Sequence, residues 1–203
     1  MDYNNSYKKH HQLWGNMPNN LITMFEGEFE QNCNCLDLGS GQGRDSLYLA
    51  GKNFKVTSVD SSGVGVDQLK GKSIEQGLVS NLELICEDVL SFNIPTQKFK
   101  VINAINLLQF LPRQQSLLLI DNIRKSIANS GFIIIKAFTV NDSSFIKKRD
   151  NKNMTFFYPD ELKGIFNDFK IRHYFEYITL DQGHGDTPEP HLHGIVEIVA
   201  QKI

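Results

Sequence analysis

The chain has 203 residues, 40% hydrophobic and 22% charged, the composition of a globular domain that can bury a sizeable core. Its 21 Lys and Arg against 23 Asp and Glu leave a formal charge of −2, which excludes a protein built mainly to grip phosphate backbones. Three Cys, no apolar run of roughly 18 residues and no apolar leader at the start point to a cytoplasmic protein with reduced thiols, not a disulfide-stapled or membrane-spanning one.

Length predicts a single domain over 1–203, with an amino-terminal lid or cap segment at 1–31 and a core at 32–203. Cys33–Leu38 is a strand-like run ended by Gly39-Ser40-Gly41-Gln42-Gly43. Arg44–Lys52 reads as a helix, and Lys55–Val59 as a β-branched strand ending on Asp60. Ser61 and Ser62 offer an N-cap to a helix reaching about Gly77, weakened by glycines at 63, 65 and 71. Leu82–Cys86 is strand-like and ends at Glu87-Asp88, and Val101–Ile105 is the next strand. Leu117, Ile120, Ile123 and Ile127 fall at helical spacing within Leu107–Asn129, a helix broken or started at Pro112. Phe132–Phe138 is the most apolar run and reads as a buried central strand. A polar loop over 139–155 and a short helix over Pro159–Phe166 follow. Lys170–Leu180 and Gly194–Lys202 alternate apolar with polar residues and should pair antiparallel. Five β-then-α units before a strand pair predict an α/β fold. The sheet would be Rossmann-like, doubly wound, mostly parallel and seven-stranded, with an antiparallel terminal strand.

Such sheets bind ligands beyond the carboxyl ends of their strands. Three carboxylates stand there: Asp37, Asp60 and Asp88, each closing a successive strand. Asp60 follows the glycine loop at the spacing where a carboxylate accepts from ribose hydroxyls, so the region reads as a nucleotide site.

The run Cys35-Leu36-Asp37-Leu38-Gly39-Ser40-Gly41-Gln42-Gly43-Arg44-Asp45-Ser46 resembles motif I of class I S-adenosylmethionine-dependent methyltransferases. Its Gly-Gln-Gly-Arg stretch, followed by Ser-Leu-Tyr-Leu-Ala, is most similar to the tellurite-resistance TehB-like and thiopurine-methyltransferase-like branch. The resemblance implies S-adenosyl-L-methionine as cofactor and a small-molecule or soft (sulfur, selenium or tellurium) methyl acceptor; the charge balance and the lack of a long apolar run lead us to expect no nucleic acid or membrane partner. The resemblance also implies that Asp37, Gly39, Ser40 and Gly41 line the methionine half of the cofactor. Asp60, with Ser61 beside it, would hold the ribose. Asp88 would accept from the adenine amino group, with the Val89 N–H facing the ring. Asn103, Ala104 and Gln109 match the segment that closes over the sulfonium, and Tyr7 would reach the carboxylate end. Ser40 stands where the family often has Cys or Thr, and Gln109 where many relatives carry His or an aromatic residue. Two other readings are a non-catalytic cofactor-binding module and an NAD-dependent oxidoreductase. The oxidoreductase fingerprint wants Gly or Ala where Arg44 stands.

Three of the six histidines, His184, His191 and His193, lie between the last two strands. His191 and His193 share a face if that segment is extended. The resemblance, through its Pro-His-x-His-Gly run, implies an acceptor pocket in which these histidines act as walls or as a catalytic base. A metal cluster and a plain polar loop are the alternatives. The metal reading has only Asp186 or Glu189 as an acidic partner, and no metal ligands are assigned. Cys33, Cys35 and Cys86 read as core thiols.

Overall fold

The computed structural model describes residues 3–147, 153–183 and 189–203. In chain order the elements are α1 (Tyr3–Lys9), α2 (Asn20–Phe25), β1 (Asn34–Leu38), α3 (Arg44–Gly51), β2 (Lys55–Asp60), α4 (Gly63–Glu75) and β3 (Leu82–Cys86). Then come β4 (Val101–Ile105), α5 (Arg113–Ser126), β5 (Phe132–Phe138), α6 (Ser143–Lys147), α7 (Glu161–Ile165), β6 (Lys170–Asp181) and β7 (His191–Gln201). The seven strands form one sheet in the order β3-β2-β1-β4-β5-β7-β6. The first five run parallel, and β7 lies antiparallel between β5 and β6. This is the fold class expected from the sequence. Among the described residues no helix is long and apolar enough to cross a membrane.

Alternation along each strand sends side chains to opposite faces and so builds two cores. Leu36, Leu38, Ile102, Ala104, Ile133 and Ile135 meet Leu119, Ile120 and Ile123 of α5 on one face. Cys35, Val56, Val101, Ile134 and Val199 meet Leu21, Ile22 and Phe25 of α2 and Leu49 of α3 on the other. Each such aliphatic side chain contributes roughly 1.5–3 kcal/mol when fully buried. A strand covered on both sides must be apolar throughout, and all five residues of β4 are buried.

Three expectations need correction. The third β unit carries no helix: the stretch from 87 to 100 returns to the sheet as turns and coil. Pro95 lacks a helical donor there, and Gln97 sits at φ +60°, outside helical space. The final hairpin is longer than predicted. β6 continues to Asp181 and β7 begins at His191, so His191 and His193 belong to a strand and not to a loop. The alternation in the sequence runs on past Leu180, and the register pairs Asp181 with His191 and Thr179 with His193. Cys33 and Cys35 are buried as expected, but Cys86 is exposed, because β3 is an edge strand.

β7 approaches the turn after β5 closely. The Thr139 N–H donates to the Gly194 carbonyl at 2.8 Å. A Cβ on Gly194 would stand 2.6 Å from backbone atoms of Asn141 and Asp142. Backbone cannot rotate away as a side chain can. Gly194→Ala is therefore expected to cost about 1–3 kcal/mol, read as a lower urea midpoint. An unchanged midpoint would show that this approach is not tight.

Candidate active site

The order of the strands reverses between β1 and β4, and an open cleft of about 1420 Å³ lies at the carboxyl ends of the sheet. Its floor begins with the glycine loop. The Gly39 N–H donates to the Val59 carbonyl at 2.8 Å, tying the loop to β2. Gly41 has φ +52° and lies under Tyr7: a Cβ there would stand 2.5 Å from the phenol oxygen. Only glycine meets both conditions.

Asp60 fixes this loop against the next helix. Its Oδ2 accepts from the Gly41 N–H at 2.7 Å and its Oδ1 from the Ser62 N–H at 2.7 Å. Ser62 in turn caps α4, its Oγ accepting from the Gly65 N–H at 3.1 Å. Burial raises the Asp60 pKa above the ordinary carboxylate value, against the pull of these two donors. A carboxylate has about four acceptor positions, so each oxygen keeps one for a further donor.

Asp37 lies deeper. Its Oδ1 accepts from Asn103 Nδ2 at 2.9 Å and its Oδ2 from the Ser46 hydroxyl, which accepts in turn from Ser58 at 2.8 Å. Burial and the nearby Asp45 charge push its pKa up to about 7, with Ser46 opposing. Asp88 is exposed at the far end of the cleft. Its Oδ1 accepts from the Leu90 N–H at 2.9 Å, and Val89 beside it is buried. Ser40, Ser61 and Gln109 also line the cleft. Asn103 and Ala104 do not: both are buried beneath the floor, and Ile105, Asn106 and Leu107 stand in front of them. Asn103 acts on the site through Asp37.

The amino-terminal segment is laid over the cleft. Tyr7 is 5% exposed, and burial with the Asp60 charge pushes its pKa up to about 12. Gln68 donates to the Tyr7 carbonyl at 2.9 Å, and Gln42 of the glycine loop donates to the His10 carbonyl at 2.7 Å. Tyr3 packs against Tyr7 and edge-on against Phe110, at ring separations of 5.6 and 5.4 Å. The segment thus rests on the glycine loop, α4 and Phe110.

The opposite half of the cleft is built by β5, β6 and β7. Antiparallel register and strand parity place Lys136, Phe138, Tyr177, Asp181, His191 and His193 on one face. Lys136 is held by Tyr177 at 3.0 Å and Glu197 at 2.7 Å. His193 stacks on Phe138 with 4.7 Å between ring centres. Its Nδ1 lies 2.7 Å from Asp142 Oδ2, and its Nε2 lies 3.0 Å from His191 Nε2. His184 lies outside the described residues. Sequence reasoning missed Lys136, Asp142, Tyr177 and Asp181. The β5–β7 register finds Lys136, the β6–β7 register finds Tyr177 and Asp181, and the turn after β5 that packs on Gly194 brings in Asp142; no local pattern specifies these pairings.

Fold and site together define the architecture of the class I methyltransferases. A solved S-adenosylmethionine-dependent methyltransferase from Methanosarcina mazei superposes with a TM-score of 0.69 at 18% identity, over 92% of this chain and 99% of that one. The crystal structure of TehB from Haemophilus influenzae superposes at 0.79 with 22% identity, over 97% of this chain and 65% of that one. A family model described as tellurite resistance protein TehB matches residues 22–185, and the chain belongs to that family. In sequence it is 29% identical over 111 residues to a probable S-adenosyl-L-methionine-dependent methyltransferase TehB of Haemophilus influenzae. That alignment covers 54% of this chain and 38% of the relative. The chain thus spans less than two thirds of the length of these Haemophilus proteins.

The raised pKa of Asp37 has a sign that can be tested. Below about pH 3.8 both folded and unfolded states hold the proton, and burial of the neutral acid costs little. Between pH 3.8 and about 7 the unfolded chain releases the proton more readily, so folding stability falls as pH rises. Asp37→Asn has no such proton. The parent should lose stability relative to Asp37→Asn between pH 4 and 7, by upward of about 1 kcal/mol, in denaturant melts. A gap independent of pH would place the proton elsewhere.

Proposed function

We propose that the chain is an S-adenosylmethionine-dependent methyltransferase acting on a small, soft acceptor. The observation that carries the reading is the glycine loop clamped by Asp60 at the switch point of the sheet, in a member of the TehB family. The cleft also has polar atoms to offer a ligand. Tyr3 Oη, Ser40 Oγ and Gln109 Oε1 line it, and each is buried with no hydrogen-bond partner among the described residues. Buried polar atoms are normally paired, so three such atoms around one cleft fit a polar ligand. Its volume exceeds the roughly 300–1,000 Å³ usual for one drug-sized ligand, leaving room for a second molecule beside the cofactor.

When bound, S-adenosylmethionine supplies an electrophilic methyl group on a sulfonium that leaves readily. The chain's own task is then alignment and exclusion of water. In this reading Asp60 uses its remaining acceptor positions for the ribose hydroxyls, with Ser61 beside it. Asp88 accepts from the adenine amino group, and the Val89 N–H faces the ring. Gly39, Ser40 and Gly41 receive the methionine half, Tyr7 closes over its carboxylate end, and Asp37 faces its ammonium with Asn103 holding the carboxylate in place. Gln109 stands near the transferred methyl, and Ala104 supports it from the core. The acceptor enters over Phe138, Tyr177, His191 and His193. That wall is aromatic and imidazole-rich, and its one amine, Lys136, is already committed to Glu197. Such a surface suits a polarizable sulfur, selenium or tellurium centre better than an anionic metabolite.

S-adenosylhomocysteine at about 100 times its Kd should stabilise the fold by roughly 2.7 kcal/mol, seen as a rise in melting temperature. Asp60→Ala should weaken that binding by about 1.5–3 kcal/mol in calorimetry, the usual worth of a hydrogen bond to a charged group. No melting shift at saturating S-adenosylhomocysteine would overturn the proposal. Unchanged affinity in Asp60→Ala would remove Asp60 from the ribose.

A further inference from the structure

We infer that Asp181, His191 and His193 form a binding site for a divalent transition-metal ion of the zinc type, with Asp142 as its positioning residue. The argument starts from the tautomers. His191 Nδ1 lies 2.8 Å from the Glu189 carbonyl oxygen. A carbonyl only accepts, so this Nδ1 carries the hydrogen. His193 Nδ1 lies 2.7 Å from the Asp142 carboxylate, which is fully buried and holds the Ser144 N–H with its other oxygen. An ionised carboxylate also only accepts, so this Nδ1 carries a hydrogen as well. In a neutral imidazole the hydrogen on Nδ1 leaves a lone pair on Nε2. The two Nε2 atoms face each other across 3.0 Å. A cation placed there would take an Nε2 lone pair from each ring.

Asp181 supplies the charge that favours a metal ion in that place. Its Oδ2 lies 3.9 Å from His193 Nε2, and one ligand atom from each of the three residues falls within 4.8 Å of the others. Zinc bonds of about 2.0–2.2 Å at tetrahedral angles separate donor atoms by roughly 3.3–3.5 Å. The separations of 3.0 and 3.9 Å bracket that span and the third, between His191 and Asp181, is no more than 4.8 Å, so ligation asks for side-chain movements of up to about 1 Å. Two imidazoles and a carboxylate are borderline donors that suit zinc and its neighbours over magnesium or calcium. Three protein ligands leave a position open to water or to another molecule. The Asp142–His193 pair is the carboxylate–histidine arrangement that fixes the ring of a metal-bound imidazole. It acts from the turn that Gly194 allows to come close to β7.

The site was legible in part. The His-x-His spacing is in the sequence, and the nearest acids in sequence are Asp186 and Glu189 of the connecting segment. The third ligand comes instead from β6, opposite His191 in the hairpin register.

The inference does not rest on methyl transfer, because it is tested with neither cofactor nor acceptor present. The untagged full chain, stripped with chelator, is titrated with zinc chloride by calorimetry and then with cobalt(II) in an absorption cell. One equivalent of zinc and the intense visible bands of four-coordinate cobalt are expected. His191→Ala should weaken zinc at least 100-fold, and Asp142→Asn about 10–100-fold, as for other outer partners of metal ligands. Circular dichroism of each variant confirms that it is folded, and Asp181→Asn serves if a histidine variant is not. Failure of the parent to bind zinc would overturn the inference. Zinc bound equally well by folded His191→Ala and Asp181→Asn would overturn it too, by placing the metal elsewhere, and loss on His10→Ala with His11→Ala would identify that other place.

Discussion

The Asp60 carboxylate joins two chain segments that sheet hydrogen bonds alone leave independent. One oxygen holds the Gly41 N–H and the other the Ser62 N–H, so the loop after β1 and the start of α4 are set by the same group. Charge-assisted bonds of this kind are about twice as strong as neutral ones. Because α4 begins there, the surface against which α1 packs is set as well: Asn4 accepts from Ser62, and Tyr7 lies over Gly41. Floor and lid therefore share one anchor, and moving it would move both.

The other half of the cleft depends on strand register. β7 runs between β5 and β6, and each residue of its inward face meets a defined partner on either side. Slipping the hairpin by one residue would turn His191 and His193 to the opposite face and bring Leu192 inward. The close passage of Gly194 past Asn141 and Asp142 pins that register from outside the sheet. The two halves thus rest on different physics. Hydrogen bonds to one carboxylate order the first, and steric fit with antiparallel pairing orders the second.

That difference explains what the sequence disclosed. The strands, the glycine loop and the three strand-end carboxylates are local patterns, and they were readable because period, turn chemistry and sequence spacing are local properties. The fold class followed from them. The β-then-α rhythm implies a helix between β3 and β4, but the segment contains Pro95 and turns at Gln97, and no helix forms there. Asp60 was legible as a site residue, but its role as a bridge between two backbone N–H groups was not, since that role needs the loop in place. Asn103 and Ala104 were matched to the cleft by motif, yet they lie one layer beneath it. Lys136, Tyr177 and Asp181 reach the site through pairing between distant strands, and Asp142 through the turn packed on Gly194, neither of which a short pattern encodes. Tertiary context, not propensity, decided each of these.

The central claim is that the Asp60-clamped loop is the seat of an S-adenosyl cofactor. It is tested most directly by a crystal structure of the protein with S-adenosylhomocysteine. The account predicts the ribose hydroxyls on the Asp60 carboxylate, the adenine beside Asp88 and Val89, and the amino-acid end beneath Tyr7 against Gly39–Gly41. A ligand bound away from this loop, or bound there with Asp60 making no contact to the ribose, would contradict it.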